Sequence, residues 1–205
     1  MNSESIERFA CHARELLSWN RRINLTSITD PAEVAIKHYL DSILPVKWIP
    51  PVGRLLDVGS GGGFPGIPLK ILLPKLSVTL IDSVRKKVSF QKHVIRTLAL
   101  RNIEARHIRL EHFKPDVPFD VIVSRAFSPL EKFVPSAAPL LAEGGSIIAL
   151  KGRYAEALAE SERMISTRNS AFFQETAGGL PDITFEQILL PPTHAERTLV
   201  VIKIS

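Results

Sequence analysis

The segment best suited to bind a ligand is glycine-rich and reads Asp57-Val58-Gly59-Ser60-Gly61-Gly62-Gly63-Phe64-Pro65-Gly66. It directly follows a short apolar run that is typical of a buried strand. In an open α/β sheet, ligands bind at the carboxyl ends of the strands, and glycine lets the backbone approach them at a helix amino terminus. Five glycines in eight residues exceed what a tight turn requires. The segment therefore predicts a nucleotide-type site.

The spacing of the glycines narrows the class of ligand. A dinucleotide fingerprint, G-x-G-x-x-G, would need glycine at position 64, where this chain has Phe64. The glycines Gly59, Gly61 and Gly63 instead fit G-x-G-x-G. Asp82 ends the next apolar run, 19 residues after Gly63, where a carboxylate can accept hydrogen bonds from ribose hydroxyls. The chain has no G-x-x-x-x-G-K-[ST] motif, so a phosphate-cradling loop is not predicted.

Basic residues form the second chemical feature. The formal charge is +5, yet residues 83–114 hold nine Lys or Arg and two Glu, so this segment is +7 and the remainder is −2. Such a surplus indicates either a polyanionic partner or a solvated helix face. Lys92 and Arg96 fit the solvated face. The first turn of a predicted helix, where the helix dipole disfavours cations, holds Arg85, Lys86 and Lys87.

Further candidates lie elsewhere in the chain. Arg125 lies at the carboxyl end of the fourth predicted strand, at the edge of the sheet where ligands bind, although a rim arginine paired with a carboxylate is the alternative. His38, with Asp41 one turn later, is a candidate for contact with the polyanionic partner, and a structural role is the alternative. We expect phosphate contacts beside the ligand from Arg85, Lys86, Lys87, Lys151, Arg153 and Arg197.

Helices and strands alternate along most of the chain. Apolar spacing predicts amino-terminal helices over residues 6–20 and 31–44, the second with Asp30, Pro31 and Glu33 as its capping signals and a buried stripe of Ile36, Leu40, Ile43 and Leu44. Strands are predicted at residues 55–58, 78–82, 103–108, 120–124, 146–150, 183–190 and 198–204, and further helices at 68–73, 84–100, 130–141 and 154–168. The last two strands are separated by a short connection that includes Pro191-Pro192-Thr193-His194 and no helix, which permits only an antiparallel pair.

These elements predict an α/β fold in which a mostly parallel sheet of seven strands includes one antiparallel strand. We expect a helical cap over residues 1–48 and the main domain over residues 49–205. The 205 residues are 45% hydrophobic and 23% charged, which excludes a disordered chain. One cysteine, no metal-ligand spacing, no signal-peptide pattern and a longest uncharged run of only 12 residues predict a cytoplasmic protein without a metal or membrane span.

The glycine loop and strand-two acid resemble those of class I S-adenosylmethionine-dependent methyltransferases. Other segments make the resemblance narrower, to the small-subunit ribosomal RNA guanine-N7 methyltransferase G family, also called glucose-inhibited division protein B. The resemblance spans about residues 6–204, and its segments are Trp19-Asn20-Arg21-Arg22-Ile23-Asn24-Leu25-Thr26, His38-Tyr39-Leu40-Asp41-Ser42, residues 57–68, Ser124-Arg125-Ala126-Phe127, Ala149-Leu150-Lys151-Gly152 and Arg197-Thr198-Leu199-Val200-Val201-Ile202-Lys203.

The resemblance implies a function and a set of site residues. It implies methyl transfer from S-adenosylmethionine to N7 of a guanosine in the decoding-region loop of 16S ribosomal RNA, position 527, with the RNA or the small ribosomal subunit as partner. It places Gly59 and Phe64 against the cofactor, Asp82 at its ribose, Leu110-Glu111 beside its adenine, and Arg125 near the reaction centre.

The residues themselves favour a ring nitrogen as the methyl acceptor. The chain lacks the Asn/Asp-Pro-Pro-aromatic segment typical of amino-group methyltransferases, and its single Cys11 lies in a predicted amino-terminal helix rather than at a strand end. Guanine N7 carries a lone pair at neutral pH and needs no general base, so catalysis can rest on alignment by Arg125. Two alternatives remain open, a non-catalytic RNA-binding or assembly factor that binds S-adenosylmethionine and an NAD(P)-dependent dehydrogenase.

Overall fold

The computed structural model describes residues 2–166 and 181–204. Seven strands form one sheet in the order β3-β2-β1-β4-β5-β7-β6, and β7 runs antiparallel to both of its neighbours while the other pairs are parallel. The predicted fold class is thereby confirmed. The strands are β1 (Gly53–Val58), β2 (Leu76–Asp82), β3 (Ile103–His107), β4 (Phe119–Arg125), β5 (Leu141–Lys151), β6 (Asp182–Leu190) and β7 (Ala195–Lys203).

Helices cover both faces of this sheet. The α-helical segments are α1 (Ser3–Ile23), α2 (Pro31–Val34), α3 (Asp41–Ile43), α4 (Gly66–Leu72), α5 (Arg85–Thr97), α6 (Leu130–Ala137) and α7 (Tyr154–Ser166). One apolar core joins α1, α4 and α5 to the sheet, and a second joins α6 and α7 to it. The last two residues of the helix predicted over 154–168 lie outside the described residues.

The amino-terminal helices share the first of these cores. Leu16 of α1 is fully buried, and it belongs to the same cluster as Phe64 of the glycine loop and Phe90 of α5. Trp19 packs its ring 5.6 Å from that of Phe90. Because these contacts are apolar and continuous with the sheet, α1 is held by the hydrophobic effect rather than by isolated polar contacts.

The helix predicted over residues 31–44 starts as expected but is not uniform. Asp30 accepts a hydrogen bond from the Glu33 backbone N–H at 2.9 Å, while the Glu33 carboxylate pairs with Lys37 instead of completing a capping box. After α2, the chain forms a π-helix over Ala35–Leu40 before α3 begins. A π-turn is a local widening of the helix with hydrogen bonds five residues apart.

The predicted buried stripe was wrong because polar side chains occupy the buried face of this segment. Ile36, Leu40, Ile43 and Leu44 are only partly buried, and the buried positions are instead Val34, His38, Tyr39, Asp41 and Ser42. Most of these positions have helical spacing, but three of the five are polar, so a pattern based on apolar residues selects the opposite face. Polar side chains therefore point into the molecule from the cap.

Truncating Leu16 tests whether α1 is an integral part of the core. We expect Leu16→Ala to lower the free energy of unfolding by about 2–5 kcal/mol, the usual cost of such a cavity, with urea unfolding remaining a single transition. The matched control is Leu189→Ala, because Leu189 is 58% exposed and its loss should cost no more than about 0.5 kcal/mol. Equal losses in the two variants would contradict a shared core.

Candidate active site

Asp82 fixes the glycine loop at the carboxyl end of β2. Its Oδ2 accepts a hydrogen bond from the Gly61 backbone N–H at 2.9 Å, and its Oδ1 accepts one from the Val84 N–H at 2.8 Å. The backbone N–H groups of Gly59 and Ser60 both donate to the Ile81 carbonyl. One carboxylate thus connects the loop to the first turn of α5, and it offsets the cations that crowd that turn.

Asp57 fixes the other end of the loop from inside the protein. Its side chain is fully buried, and its Oδ2 accepts a hydrogen bond from the Gly66 N–H at 2.8 Å. Burial raises the pKa of Asp57 to about 7, although the Gly66 hydrogen bond acts in the opposite direction. A Cβ on Gly66 would lie 2.7 Å from that carboxylate oxygen and 2.4 Å from Leu80. Glycine is therefore required where the loop enters α4.

A cavity of about 370 Å³ opens beside the loop at the ends of β1 and β2. We refer to it as the loop cavity. Gly59 has φ +71°, and a Cβ there would meet the Phe127 ring at 2.6 Å, so this wall is bare backbone. The lining residues are Val58, Gly59, Ile81, Asp82, Ser83, Val84, Lys87, Ile108, Arg109, Leu110, Glu111, Ala126 and Phe127.

The structure brings five of the predicted residues around this cavity, namely Gly59, Asp82, Lys87, Leu110 and Glu111. The other loop residues lie further in. Gly61 contributes through its hydrogen bond to Asp82, whereas the Gly63 N–H donates to the Ser60 carbonyl within the turn that leads to α4.

A second cavity of about 320 Å³ lies between the cap and the ends of β4 and β5. We refer to it as the arginine cavity. Ala126 is the one residue of the described chain that lines both cavities. The lining residues are Ile28, Lys37, His38, Asp41, Arg125, Ala126, Leu150, Lys151, Gly152 and Arg197. Four predicted residues that are distant in sequence, His38, Arg125, Lys151 and Arg197, therefore meet here.

Arg125 is held from the cap. Its Nη1 donates to the Lys37 carbonyl at 3.1 Å and to Asp41 Oδ2 at 3.3 Å, and its Nη2 donates to His38 Nδ1 at 3.2 Å. The guanidinium carbon lies 5.0 Å from the centre of the Phe64 ring, within cation–π distance. Burial lowers the pKa of Arg125 and the Asp41 carboxylate acts against that shift, so the side chain remains a cation.

Asp41 also holds a second arginine. Its Oδ1 accepts a hydrogen bond from Arg197 Nε at 2.7 Å, while the carboxylate itself is only 6% exposed. Lys151 pairs with Glu160 at 2.7 Å and donates to the Ser128 carbonyl. The cavity thus holds more positive than negative charge and keeps its two arginines in defined positions.

His38 is neutral in this arrangement. A guanidinium can only donate, so the contact with Arg125 requires an unprotonated Nδ1, and Nε2 then donates to Thr26 Oγ1 at 2.8 Å. Burial lowers the pKa of His38 to about 4, and the Arg125 cation adds to this effect. The His38 ring stacks on Phe64 with centroids 4.8 Å apart. Both ring nitrogens are therefore engaged.

Three predicted RNA contacts lie outside both cavities. Arg85 and Lys86 are exposed on the first turn of α5. Arg153 is exposed and pairs with Glu156. Nothing in their contacts connects them with Arg125.

Sequence reasoning missed two buried residues that support the loop. Gln91 Nε2 donates to Ser60 Oγ at 2.9 Å and to the Gly61 carbonyl at 2.8 Å. His12 Nε2 donates to the Gly62 carbonyl at 2.9 Å, and its ring stacks on Phe64. Both lie on helices with many polar residues and at least 30 positions from their partners, so no local pattern could identify them.

Known proteins resemble this chain in sequence and in fold. The family model described as "rRNA small subunit methyltransferase G" matches residues 5–177. A ribosomal RNA small subunit methyltransferase G from Geobacter sp. (strain M21) is 43% identical over 204 residues, which cover 98% of this chain and 90% of that protein. A protein of the same name from Geotalea uraniireducens (strain Rf4) is 48% identical over 155 residues, which cover 75% of this chain and 71% of that protein. The chain belongs to this family.

Solved structures show the same fold outside the family. An O-methyltransferase from Bacillus cereus in complex with SAH has a TM-score of 0.63 at 16% identity, covering 95% of this chain and 91% of that chain. A precorrin-6y C5,15-methyltransferase from Geobacter metallireducens GS-15 has a TM-score of 0.59 at 12% identity, and the match covers 80% of this chain and 87% of that chain. At these identities the likeness concerns the class I methyltransferase fold alone.

Neither a metal-binding cluster nor a membrane-spanning helix occurs in the part of the chain that the structure describes. No group of three or more His, Cys, Asp or Glu side chains within residues 2–166 and 181–204 could hold a metal ion. No helix in that part of the chain has the length and apolar character needed to cross a membrane.

The neutral His12 predicts a pH-dependent stability. Burial lowers its pKa from 6.5 to about 4, with the Gly62 hydrogen bond acting against that shift. Between these values the unfolded chain binds more protons than the folded one, so stability falls as pH falls. For His12 alone the loss from pH 7.5 to pH 5 is about 2 kcal/mol.

Urea unfolding at the two pH values checks this expectation. His12→Gln keeps a donor for the Gly62 carbonyl but cannot titrate, so its pH-dependent loss should be smaller than that of the wild type by about 2 kcal/mol. His194→Gln, at an exposed position, serves as the control and should show the wild-type dependence. Identical dependences in all three proteins would contradict a neutral buried His12.

Proposed function

We propose that the protein transfers a methyl group from S-adenosylmethionine to N7 of a guanosine in 16S ribosomal RNA, at position 527. One observation carries the choice of acceptor atom. Every group lining the arginine cavity that could remove a proton is already engaged, because Asp41 holds two arginines and His38 uses both ring nitrogens. An acceptor that needs no deprotonation fits this cavity, and guanine N7 is such an atom.

The loop cavity supports S-adenosylmethionine as the cofactor. Asp82 uses one lone pair on each oxygen for backbone N–H groups, which leaves others for the two ribose hydroxyls. Apolar side chains of Ile81, Ile108 and Leu110 line the cavity beside Glu111, as a planar adenine requires. Gly59 presents bare backbone to the amino-acid end. When bound, the cofactor supplies a methyl group on a positively charged sulfur, which is a good leaving group.

The residues of the arginine cavity position the acceptor. Arg125 is a cation held by Asp41, His38 and Phe64 from three sides, so its remaining N–H groups have fixed directions. A guanine brought against these donors is aligned with the neighbouring loop cavity, and alignment alone can supply much of the rate of such a transfer. We assign Arg125 the role of orienting the acceptor; it transfers no proton.

The partner in this proposal is 16S RNA or the small ribosomal subunit, which places the reaction in the cytoplasm. The cap, residues 1–48, forms one wall of the acceptor site, and residues 49–205 form the cofactor-binding domain. Contacts to RNA phosphates are assigned to Arg85, Lys86, Lys87, Lys151, Arg153 and Arg197. Of these, Lys151 and Arg197 line the same cavity as Arg125. The predicted RNA contact of His38 is indirect, because both of its ring nitrogens are engaged and it acts by holding Arg125.

Cofactor binding is tested by calorimetry with S-adenosylhomocysteine and, separately, with NAD. We expect the wild type to bind only the former. Asp82→Asn should weaken that binding about 10-fold to 100-fold, because hydrogen bonds to a charged group contribute roughly 1.5–3 kcal/mol.

Two further variants test whether the loss of binding is specific to the Asp82 carboxylate. Asp82→Glu keeps the charge and should retain more affinity than Asp82→Asn, and thermal unfolding shows whether either variant is folded. Asp116→Asn, exposed and outside both cavities, should bind as the wild type does. Binding of NAD without binding of S-adenosylhomocysteine would overturn the cofactor assignment.

Borohydride–aniline cleavage tests the reaction, since it cuts RNA at N7-methylguanosine. In 16S RNA from a strain that lacks this protein, we expect no cleavage at position 527, and cleavage restored by the wild-type chain. Arg125→Ala should restore less than a tenth of it, because the acceptor loses its orienting group. Lys132→Ala, at an exposed lysine on α6, should restore it fully.

The possible failures have different meanings. If the wild-type chain restores no cleavage, the non-catalytic assembly factor becomes the better hypothesis. If Arg125→Ala restores full cleavage, the methylation stands and the role of Arg125 is wrong.

A further inference from the structure

A groove of about 520 Å³ runs along the outer edge of the sheet, between β3 and α5. We name it the β3 groove. It lies on the opposite side of the loop cavity from Arg125, because β3 is the terminal strand next to β2. Its floor includes Ile95 and Ile103, both partly buried, and its rim carries Lys92, Arg96, Arg106 and His107, all exposed.

The charge of this groove is unbalanced. Lys92 and Arg96 form no ion pair with a carboxylate in the described part of the chain, and α5 contains five Lys or Arg and no Asp or Glu. Arg106 pairs with Glu104 at 2.8 Å, and both side chains are about half exposed, so this pair is weak. A helix face shaped only for solvation would carry acids among its bases.

A hydrogen bond links the β3 groove to the loop cavity. His107 Nε2 donates to the Ser83 carbonyl at 3.0 Å, and Ser83 lines the loop cavity. On α5, Arg85, Lys92 and Arg96 lie seven and four positions apart and so share one face of the helix. Because Arg85 directly follows Val84, which lines the loop cavity, this row of cations leads from beside that cavity to the sheet edge.

The distance to the acceptor site sets the size of the partner. Three strand spacings separate β3 from β4, which ends in Arg125, so the axes of these two strands lie about 14 Å apart. A single nucleotide cannot reach both. A nucleic-acid strand can, and its chemistry matches the groove because phosphates suit a cationic rim while bases and sugars suit an aliphatic floor.

We infer that the β3 groove binds the sugar-phosphate backbone of the substrate RNA next to the target guanosine, through Lys92, Arg96 and Arg106. This inference rests on the proposed function, because it takes the substrate to be RNA. It assigns binding to two residues that, as a sequence pattern, indicate only a solvated helix face. The binding free energy of these contacts, which lie away from the reacting atoms, holds the RNA on the protein. The contacts do not act on the methyl transfer itself.

The test compares two triple variants that remove the same charge. The groove variant is Lys92→Gln, Arg96→Gln and Arg106→Gln. The control variant is Lys75→Gln, Lys132→Gln and Lys203→Gln, three exposed lysines away from both cavities and from the groove. Binding of a 16S RNA transcript is measured by filter retention between about 50 and 200 mM salt, and methyl transfer is measured on the transcript and on small subunits that lack the methyl group.

Loss of three phosphate contacts has a defined signature. The slope of log affinity against log salt should be less steep than that of the wild type by about 2, at roughly 0.7 per contact for a single strand. RNA affinity should fall about 10-fold or more, KM should rise by a similar factor, and kcat should stay within about 2-fold. Binding of S-adenosylhomocysteine should be unchanged in both variants.

The outcomes separate this inference from the proposed function. If the wild type transfers methyl groups and the groove variant matches the control in slope, affinity and KM, the inference is overturned and the charged edge serves only to keep β3 from pairing with other strands. If the wild type transfers no methyl group to either substrate, the proposed function fails, while a changed salt slope in the groove variant would still support RNA binding at this groove.

Discussion

The carboxylate of Asp41 is almost inaccessible to water and lies between the guanidinium groups of Arg125 and Arg197. A buried charge costs several kcal/mol unless partners compensate for it, so these three side chains are stable only together. They come from the cap, from β4 and from β7, and their mutual attraction therefore joins the amino terminus, the centre of the sheet and its antiparallel strand. Two cations around one anion also leave a surplus of positive charge, which suits a polyanion.

Buried side chains from several elements also hold the glycine loop in place. Asp57 holds its end at α4, Asp82 holds its outer turn, and Gln91 and His12 bond to carbonyl groups between them. Each of these contacts uses a backbone group that a bare loop would leave to water. A loop held at four points has little conformational freedom left, so little free energy is lost in ordering it further when a ligand binds.

The sequence was a good guide wherever the signal was local. Apolar runs and the short connection before β7 predicted all seven strands, and glycine spacing with Asp82 predicted the wall of the loop cavity. It failed where structure depends on distant partners. The stripe of Ile36 and Leu40 was wrong because this segment buries a polar face that includes Asp41. The hydrogen bonds of Asp41 to Arg125 and Arg197 join residues that are 84 and 156 positions apart in the sequence. The groove beside Lys92 and Arg96 could not be predicted either, because it forms between α5 and β3, whose relative position the sequence does not reveal.

Ala126 separates the two cavities with a single methyl group on a backbone unit at φ +51°. That conformation is uncommon for residues with a Cβ and is unfavourable for branched side chains. The wall between the two cavities at Ala126 therefore cannot be thinner than the backbone itself. It cannot become much thicker either, because this backbone conformation disfavours larger branched side chains. The distance between molecules bound in the two cavities therefore depends on the main chain at this position.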